Sequence, residues 1–186
     1  MRIITGKFRG RKLVVPKQDN PGIRPTLDRV KEPLFSMLQG YFEDAYVLDL
    51  FAGTGNLGLE SISRGAKLAI LNDCSRESLH LISTNVALTQ AGKYAKITGK
   101  EYDKCLKNLW KEGYKFNVIF LDPPYATNYE KKALDLIVEL DLLDENGVIV
   151  LESDKRKEID EEINGLEMKD KRTYGRVTIR LYKWKE

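Results

Sequence analysis

Residues Val47 to Gly58 constrain the fold more than any other stretch: Val-Leu-Asp-Leu-Phe-Ala-Gly-Thr-Gly-Asn-Leu-Gly. An apolar run passes straight into a glycine-rich turn and then into a helical start, which is the pattern of a buried strand, a tight turn and a helix. Such a unit belongs in a parallel sheet, because a crossover helix must carry the chain back before the next strand begins. The alternation continues downstream. Apolar runs near 46–50, 68–72, 94–98, 116–121 and 147–152 read as strands, and helical spacing fills 56–64, 76–91, 101–111 and 129–140. The tail differs: Leu166 to Thr173 and Val177 to Trp184 are strand-like runs parted by Tyr174-Gly175, an antiparallel hairpin signal. At the start, residues 2–5 and 11–15 read as a short hairpin, and 22–26 as a loop. Thr26 is placed to cap a helix through Val30, Leu34 and Leu38, which Pro33 kinks or restarts. The expected fold is α/β: a mainly parallel seven-stranded sheet with an antiparallel last strand, plus an N-terminal β-hairpin. One domain covers 1–186, with 1–25 as a basic extension. That length buries a sizeable core without disulfides or metals. Cys74 and Cys105 lack C-x-x-C spacing and read as reduced, mostly buried thiols of a cytosolic protein.

The glycines carry chemistry as well as geometry. Gly53, Gly55 and Gly58 satisfy the G-x-G-x-x-G fingerprint, and Asp73 closes the next strand where an acidic residue holds a ribose. Both features suit a nicotinamide dinucleotide. Asp49 argues against it, because a carboxylate just ahead of the glycines repels a pyrophosphate and attracts an ammonium. S-adenosylmethionine offers an ammonium, a sulfonium and a ribose for Asp73. The glycines then let the backbone approach the ligand rather than cradle phosphates. For the turn alone, a tight strand–helix connection in an unrelated α/β protein is the alternative.

A second motif, Asp122-Pro123-Pro124-Tyr125, follows the apolar run from Phe116 to Leu121. Two prolines end the ladder and stiffen the exit. The Asp122 carboxylate and the Pro123 carbonyl then become acceptors facing one point, with the Tyr125 ring beside them. That suits an exocyclic amino group on a flat heterocycle. The tetrapeptide alone fits a strand-terminating turn with a capping Asp equally well. In a doubly wound sheet ligands bind at the carboxyl ends of the strands. Asp49, Asp73 and Asp122 fall there, and Glu101 follows the run ending at Thr98. Helix capping is the competing role, expected to weigh more at Glu101 than at Asp49 or Asp122.

Charge is placed unevenly. Residues 1–33 hold nine Lys/Arg against three Asp/Glu, a net of +6, so the remaining 153 residues carry −3 of the overall +3. A basic segment on a slightly acidic body points to a polyanionic partner. Phe8, among Lys7, Arg9, Arg11 and Lys12, is placed either to stack on an unpaired base or to pack on the core.

Met1 to Lys7, Arg9 to Leu13, Arg24-Pro25-Thr26 and Asp28 to Glu32 resemble one family closely. So do Leu48 to Gly55, Leu57 to Glu60, Ser63 to Gly65, Phe120 to Tyr125 and Tyr174-Gly175. Together they resemble the RsmD family of bacterial 16S ribosomal RNA (guanine-N2-)-methyltransferases, nearly end to end. Pro33 stands where that family more often has a helix former, and Ser75 where a second acidic residue is common. The resemblance implies the class I S-adenosylmethionine-dependent methyltransferase fold, which is Rossmann-like. It implies a cofactor site at Asp49, Phe51, Gly53, Gly55, Asp73, Glu101 and Tyr102, with the last two near the adenine. It implies a catalytic loop at Asp122, Pro123, Pro124 and Tyr125. It implies RNA contacts from Arg2, Lys7, Arg9, Arg11, Lys12, Arg24, Thr26 and Arg29. The expected partner is ribosomal RNA or a partly assembled small subunit, met by a cytoplasmic monomer.

Two other classes stay open: an amino-directed methyltransferase of DNA adenine or a protein amide, and a non-catalytic nucleic-acid-binding module of the same fold. His80 is the single histidine and is read as a surface residue. Trp110 and Trp184 read as packing residues, and the mixed-charge run Asp154 to Glu158 as a solvated face. The sequence shows no zinc spacing, P-loop lysine or long apolar run, and Met1 to Lys7, with a short apolar run quickly followed by charge, is not expected to act as a signal peptide.

Overall fold

The structure, a computed structural model, describes residues 1–16, 27–124 and 127–186, without the side chains of 27–29. In chain order the elements are α1 (Leu27–Met37), β1 (Tyr46–Asp49), α2 (Asn56–Ser63), β2 (Leu68–Asn72) and α3 (Arg76–Thr89). There follow β3 (Ala95–Thr98), α4 (Tyr102–Lys111), β4 (Phe116–Leu121), α5 (Tyr129–Glu139) and β5 (Leu143–Asp154). The chain ends with β6 (Glu162–Ile163), β7 (Leu166–Tyr174) and β8 (Val177–Trp184).

The strands form one sheet in the order β3-β2-β1-β4-β5-β8-β7-β6. The first five are parallel, and β8 slots antiparallel between β5 and β7. All seven expected strands are present. The eighth, β6, is a two-residue pairing on β7 and too short to leave a periodic signal. Strand order reverses at β1, whose neighbours are β2 and β4. The two faces of the sheet bury different residues, as the period of two requires. Val47, Val118, Phe120 and Val150 pack with α1, α2 and α3, while Leu48, Ile119, Leu121 and Ile149 pack with α4 and α5. α1 runs through Pro33 without interruption.

The N-terminal segment departs from the expected hairpin. It is a turn-rich loop closed by one antiparallel bridge, Arg2 with Lys12. Residues 1–3 and 10–13 pair through the Ile3 N–H to the Arg11 carbonyl, the Gly10 N–H to the Ile3 carbonyl and the Leu13 N–H to the Met1 carbonyl, a shorter pairing than expected. The burial of Ile3, Phe8 and Leu13 packs the segment on the body as well. Gly6 explains the closeness. Its φ is +86°, and a Cβ there would lie 1.8 Å from the Ser63 carbonyl oxygen at the end of α2. The anchor is a fully buried ion pair, Lys31 Nζ to Glu60 Oε2 at 2.8 Å. Lys31 also donates to the Arg2 carbonyl, and Glu60 accepts the Ile4 and Thr5 N–H groups. The loop expected at 22–26 and the Thr26 cap lie outside the described residues.

Candidate active site

The sequence stacks its strand ends at one edge of the sheet, and a cavity of about 320 Å³ opens there, beside the β1/β4 switch in strand order. Asp49, Phe51, Gly53, Asp73, Glu101, Tyr102, Asp122, Pro123 and Pro124 all line it. Residues expected at the site from four separate stretches of chain thus meet in one place. Gly55 does not line the cavity. It sits one step behind, as the left-handed residue that opens α2 at φ 77°. Tyr125, Arg24 and Thr26, and the Arg29 side chain, lie outside the described residues.

Asp49 is 2% exposed, and its Oδ2 accepts the Gly58 N–H of α2 at 3.1 Å. Gly58 also lets α2 approach β2 closely, since a Cβ there would sit 2.0 Å from a Leu71 methyl. Burial pushes the Asp49 carboxyl up to about 7; the Gly58 bond opposes this, and the nearby Asp122 and Asp73 carboxylates add to it. The capping expectation is therefore inverted. Asp49 bonds an N–H in the first turn of α2, whereas Glu101 precedes α4 with no side-chain cap bond. Asp73 is held at both oxygens, Oδ2 by the Gly53 N–H and Oδ1 by the Ser75 N–H, each at 2.9 Å. Ser75 in turn caps α3 through its side chain, which is the structural use of the residue standing where the family more often has an acid.

Several residues that sequence reasoning did not single out complete the cavity. Asn72 is buried and fully used. Its Nδ2 donates to the Leu50 and Lys100 carbonyls, and its Oδ1 accepts from Thr98 Oγ1 and the Lys100 N–H. It ties together the loops that leave β1 and β3. Tyr129 joins Phe51 and Tyr102 in an aromatic wall, its ring 4.8 Å from Tyr102 and stacked on Phe51 at 10°. Glu152, 6% exposed at the end of β5, also lines the cavity. A polar residue closing a strand was the available signal for Asn72 and Glu152, and nothing in the spacing marked Tyr129.

A second cavity, lined by Met1, Arg2, Ile3, Ile4, Arg9, Gly10, Lys12 and Glu32, adjoins the first, with Met1 in the lining of both. The basic residues of this region divide into two sets. Arg2, Arg9 and Lys12 line this cavity and are exposed. Lys7 instead donates to Tyr94 Oη at 2.7 Å, and Arg11 donates to the Thr89 carbonyl at the end of α3. Phe8 is 4% exposed and lies under the Lys7 and Arg11 cations, so it packs on the core and offers no free face to a base. Two further expectations change. Cys74 is exposed at the rim of the first cavity while Cys105 is buried, and Trp110 is 53% exposed. Among the described residues no cluster of three or more His, Cys, Asp or Glu side chains could hold a metal ion, and no helix is long and apolar enough to cross a membrane.

The family model described as conserved hypothetical protein 95 matches residues 1–183. Ribosomal RNA small subunit methyltransferase D of Haemophilus influenzae is 37% identical over 183 residues, covering 98% of this chain and 93% of that protein. The protein of the same name from Escherichia coli is 35% identical over 182 residues, covering 98% of this chain and 89% of its own length. The solved structure of the Escherichia coli protein yhhF superposes with a TM-score of 0.86 at 34% identity, covering 100% of this chain and 98% of that one.

Proposed function

The chain belongs to the RsmD family, and from that premise we propose that it transfers the methyl group of S-adenosylmethionine to the exocyclic N2 amine of a guanine in small-subunit ribosomal RNA. The observation that carries the reading is the meeting of Asp49, Asp73 and Asp122 around one cavity at the switch in strand order.

The donors and acceptors present fit that cofactor. Each Asp73 oxygen keeps a lone pair beyond its backbone bond and can accept a ribose hydroxyl. Asp49 supplies the negative charge that suits the amino acid ammonium. Phe51, Tyr102 and Tyr129 give an aromatic wall for an adenine, with the Phe51 and Tyr129 rings near-parallel and Tyr102 tilted to both, and Glu101 in the same cavity can accept from the amino group. When bound, the cofactor supplies an already activated methyl on a sulfonium, so the protein's task is alignment. In-line transfer needs the amino nitrogen within about 3–3.5 Å of the methyl carbon. Asp122 and the Pro123 carbonyl accept the two N–H bonds of that amine. They favour a pyramidal nitrogen whose lone pair points at the methyl, and Asp122 can take the proton released once the new N–C bond forms. Tyr125 stacks on the base, which must be unpaired or extruded. Aspartate rather than asparagine at 122 favours guanine over adenine or an amide. Among the described residues, Arg2, Arg9 and Lys12 are exposed cations at the second cavity that suit the RNA backbone, and Arg24, Thr26 and Arg29 follow them in sequence.

The test is transfer from labelled S-adenosylmethionine to undermodified small-subunit RNA and to partly assembled particles. The expected result is label incorporated at a single guanine. Label on DNA or protein but not on RNA contradicts the reading.

A further inference from the structure

Lys157 lies in the loop that leaves β5, inside the run expected to be a solvated face, yet its side chain is only 25% exposed. Its ammonium donates to the Thr127 carbonyl and to Glu130 Oε1, each at 2.5 Å. The Glu130 side chain is 4% exposed. Thr127 donates its N–H and its hydroxyl to the Pro124 carbonyl, at 3.1 and 2.7 Å. Pro124 in turn lines the cavity beside Asp122 and Pro123. The other end of this chain of bonds is fixed as well. Arg180 of β8 is 2% exposed; it donates Nη2 to the Lys157 carbonyl at 3.0 Å and Nη1 to Ser153 Oγ at 2.5 Å. The Lys157 N–H is bonded to the Asp154 carbonyl at 3.0 Å.

We propose that Lys157 is a positioning residue of the methyl-transfer site, holding the exit of the Asp122–Pro124 wall from across the β5 end. The inference rests on the function proposed above. A charge-assisted bond from an ammonium to a carbonyl is stronger than a neutral one. The buried Glu130 carboxylate, 2.5 Å from that ammonium, holds it in place. Pro123 and Pro124 each have a fixed φ, so fewer soft torsions separate the Pro124 carbonyl from Asp122 than in an ordinary chain. Lys157 thereby sets the direction in which the Asp122 carboxylate and the Pro123 carbonyl face the cavity.

Lys157→Met alone would strand the Glu130 carboxylate, so the informative comparison is Glu130→Gln against the double variant Lys157→Met/Glu130→Gln. Glu130→Gln leaves the ammonium its bond to the Thr127 carbonyl and an amide oxygen in place of the carboxylate, so its turnover is the reference against which the double variant is read. The double variant should lose about 10- to 100-fold in kcat, the range expected when a reacting group is misplaced by about 1 Å. Its affinity for S-adenosylhomocysteine should stay within about twofold, because Asp49 and Asp73 are untouched. Lys157→Arg should restore most of the kcat. The Thr127 amide should exchange hydrogen at least about tenfold faster in the double variant, with β4 amides unchanged. Turnover equal to that of Glu130→Gln, or unchanged Thr127 protection, overturns the proposal. Absence of transfer by the unaltered chain would instead fail the underlying reading, and it is seen before any variant is compared.

Discussion

With its carboxyl pushed up to about 7, Asp49 titrates where cofactor binding can be measured, and the sign of the effect is fixed. Between the ordinary value of 3.8 and about 7, the folded chain keeps a proton that the unfolded chain has released. This group's contribution to stability is therefore present in full below that window, falls as pH rises through it, and levels off above it. A ligand ammonium favours the charged carboxylate. Cofactor affinity should then rise with pH up to about 7, and binding near pH 6 should release most of one proton. Calorimetry in buffers of different ionisation enthalpy reads both effects, and Asp49→Asn should remove both. An affinity that ignores pH between 5.5 and 8 would contradict this account of Asp49. Asp73→Ala should weaken the cofactor by about 10- to 100-fold, the loss of about 1.5–3 kcal/mol expected for a hydrogen bond to a charged group. Asp122→Ala should leave that affinity nearly intact while kcat falls by about 10²–10⁴-fold. Near-normal turnover in Asp122→Ala would remove it from the chemistry.

The N-terminal segment shows where element-scale reasoning from sequence stops. Its charge is legible residue by residue, but its partners are not. Lys7 and Arg11 look the same in the sequence as Arg9 and Lys12, yet the first two are committed to Tyr94 and to the end of α3. Tyr94 and Thr89 lie more than seventy positions downstream, and no local pattern signals such a contact. For the same reason the expected hairpin is a loop laid on α2. Its backbone groups bond to the Glu60 and Ser63 side chains, not to a full ladder of their own. Two different outcomes follow for basic residues a few positions apart. Arg2, Arg9 and Lys12 changed together to Ala should weaken RNA binding and lower the salt slope by about 0.7–0.9 for each phosphate no longer neutralised. Arg11→Ala should lower the melting temperature while leaving that slope nearly unchanged. Equal slopes for the triple variant and the unaltered chain would place the RNA elsewhere. Lys31→Met should be the more damaging change to the fold. It removes the buried cation from Glu60, whose carboxyl burial raises but Lys31, the Ile4 N–H and Arg64 together hold below the ordinary value. Breaking a buried pair costs up to about 3–5 kcal/mol, and the Arg64 contact at 2.9 Å should keep the loss below that ceiling. Denaturant unfolding gives that number directly.

At the scale of the whole molecule, the strand–helix alternation made the parallel half of the sheet legible, because each strand is an apolar run bounded by turn residues. The tail was legible as a hairpin. Its insertion of β8 between β5 and β7 follows from pairing that a local pattern does not encode. The site was legible as carboxylates at successive strand ends, since a doubly wound sheet brings those ends to one edge. What stayed hidden depends on folding at a distance: the Asn72 cross-tie, the Tyr129 ring, and Lys157 reaching from the β5 exit to Thr127. The central claim is that these strand ends build one methyl-transfer site for a guanine N2 in small-subunit RNA. Nucleoside mass analysis of undermodified small-subunit RNA, incubated with S-adenosylmethionine and either the unaltered chain or Asp122→Ala, tests it most directly. The account predicts N2-methylguanosine at one position with the unaltered chain and almost none with the variant. A methyl on adenine N6, on a ring nitrogen or on a ribose, or equal product from both proteins, would contradict it.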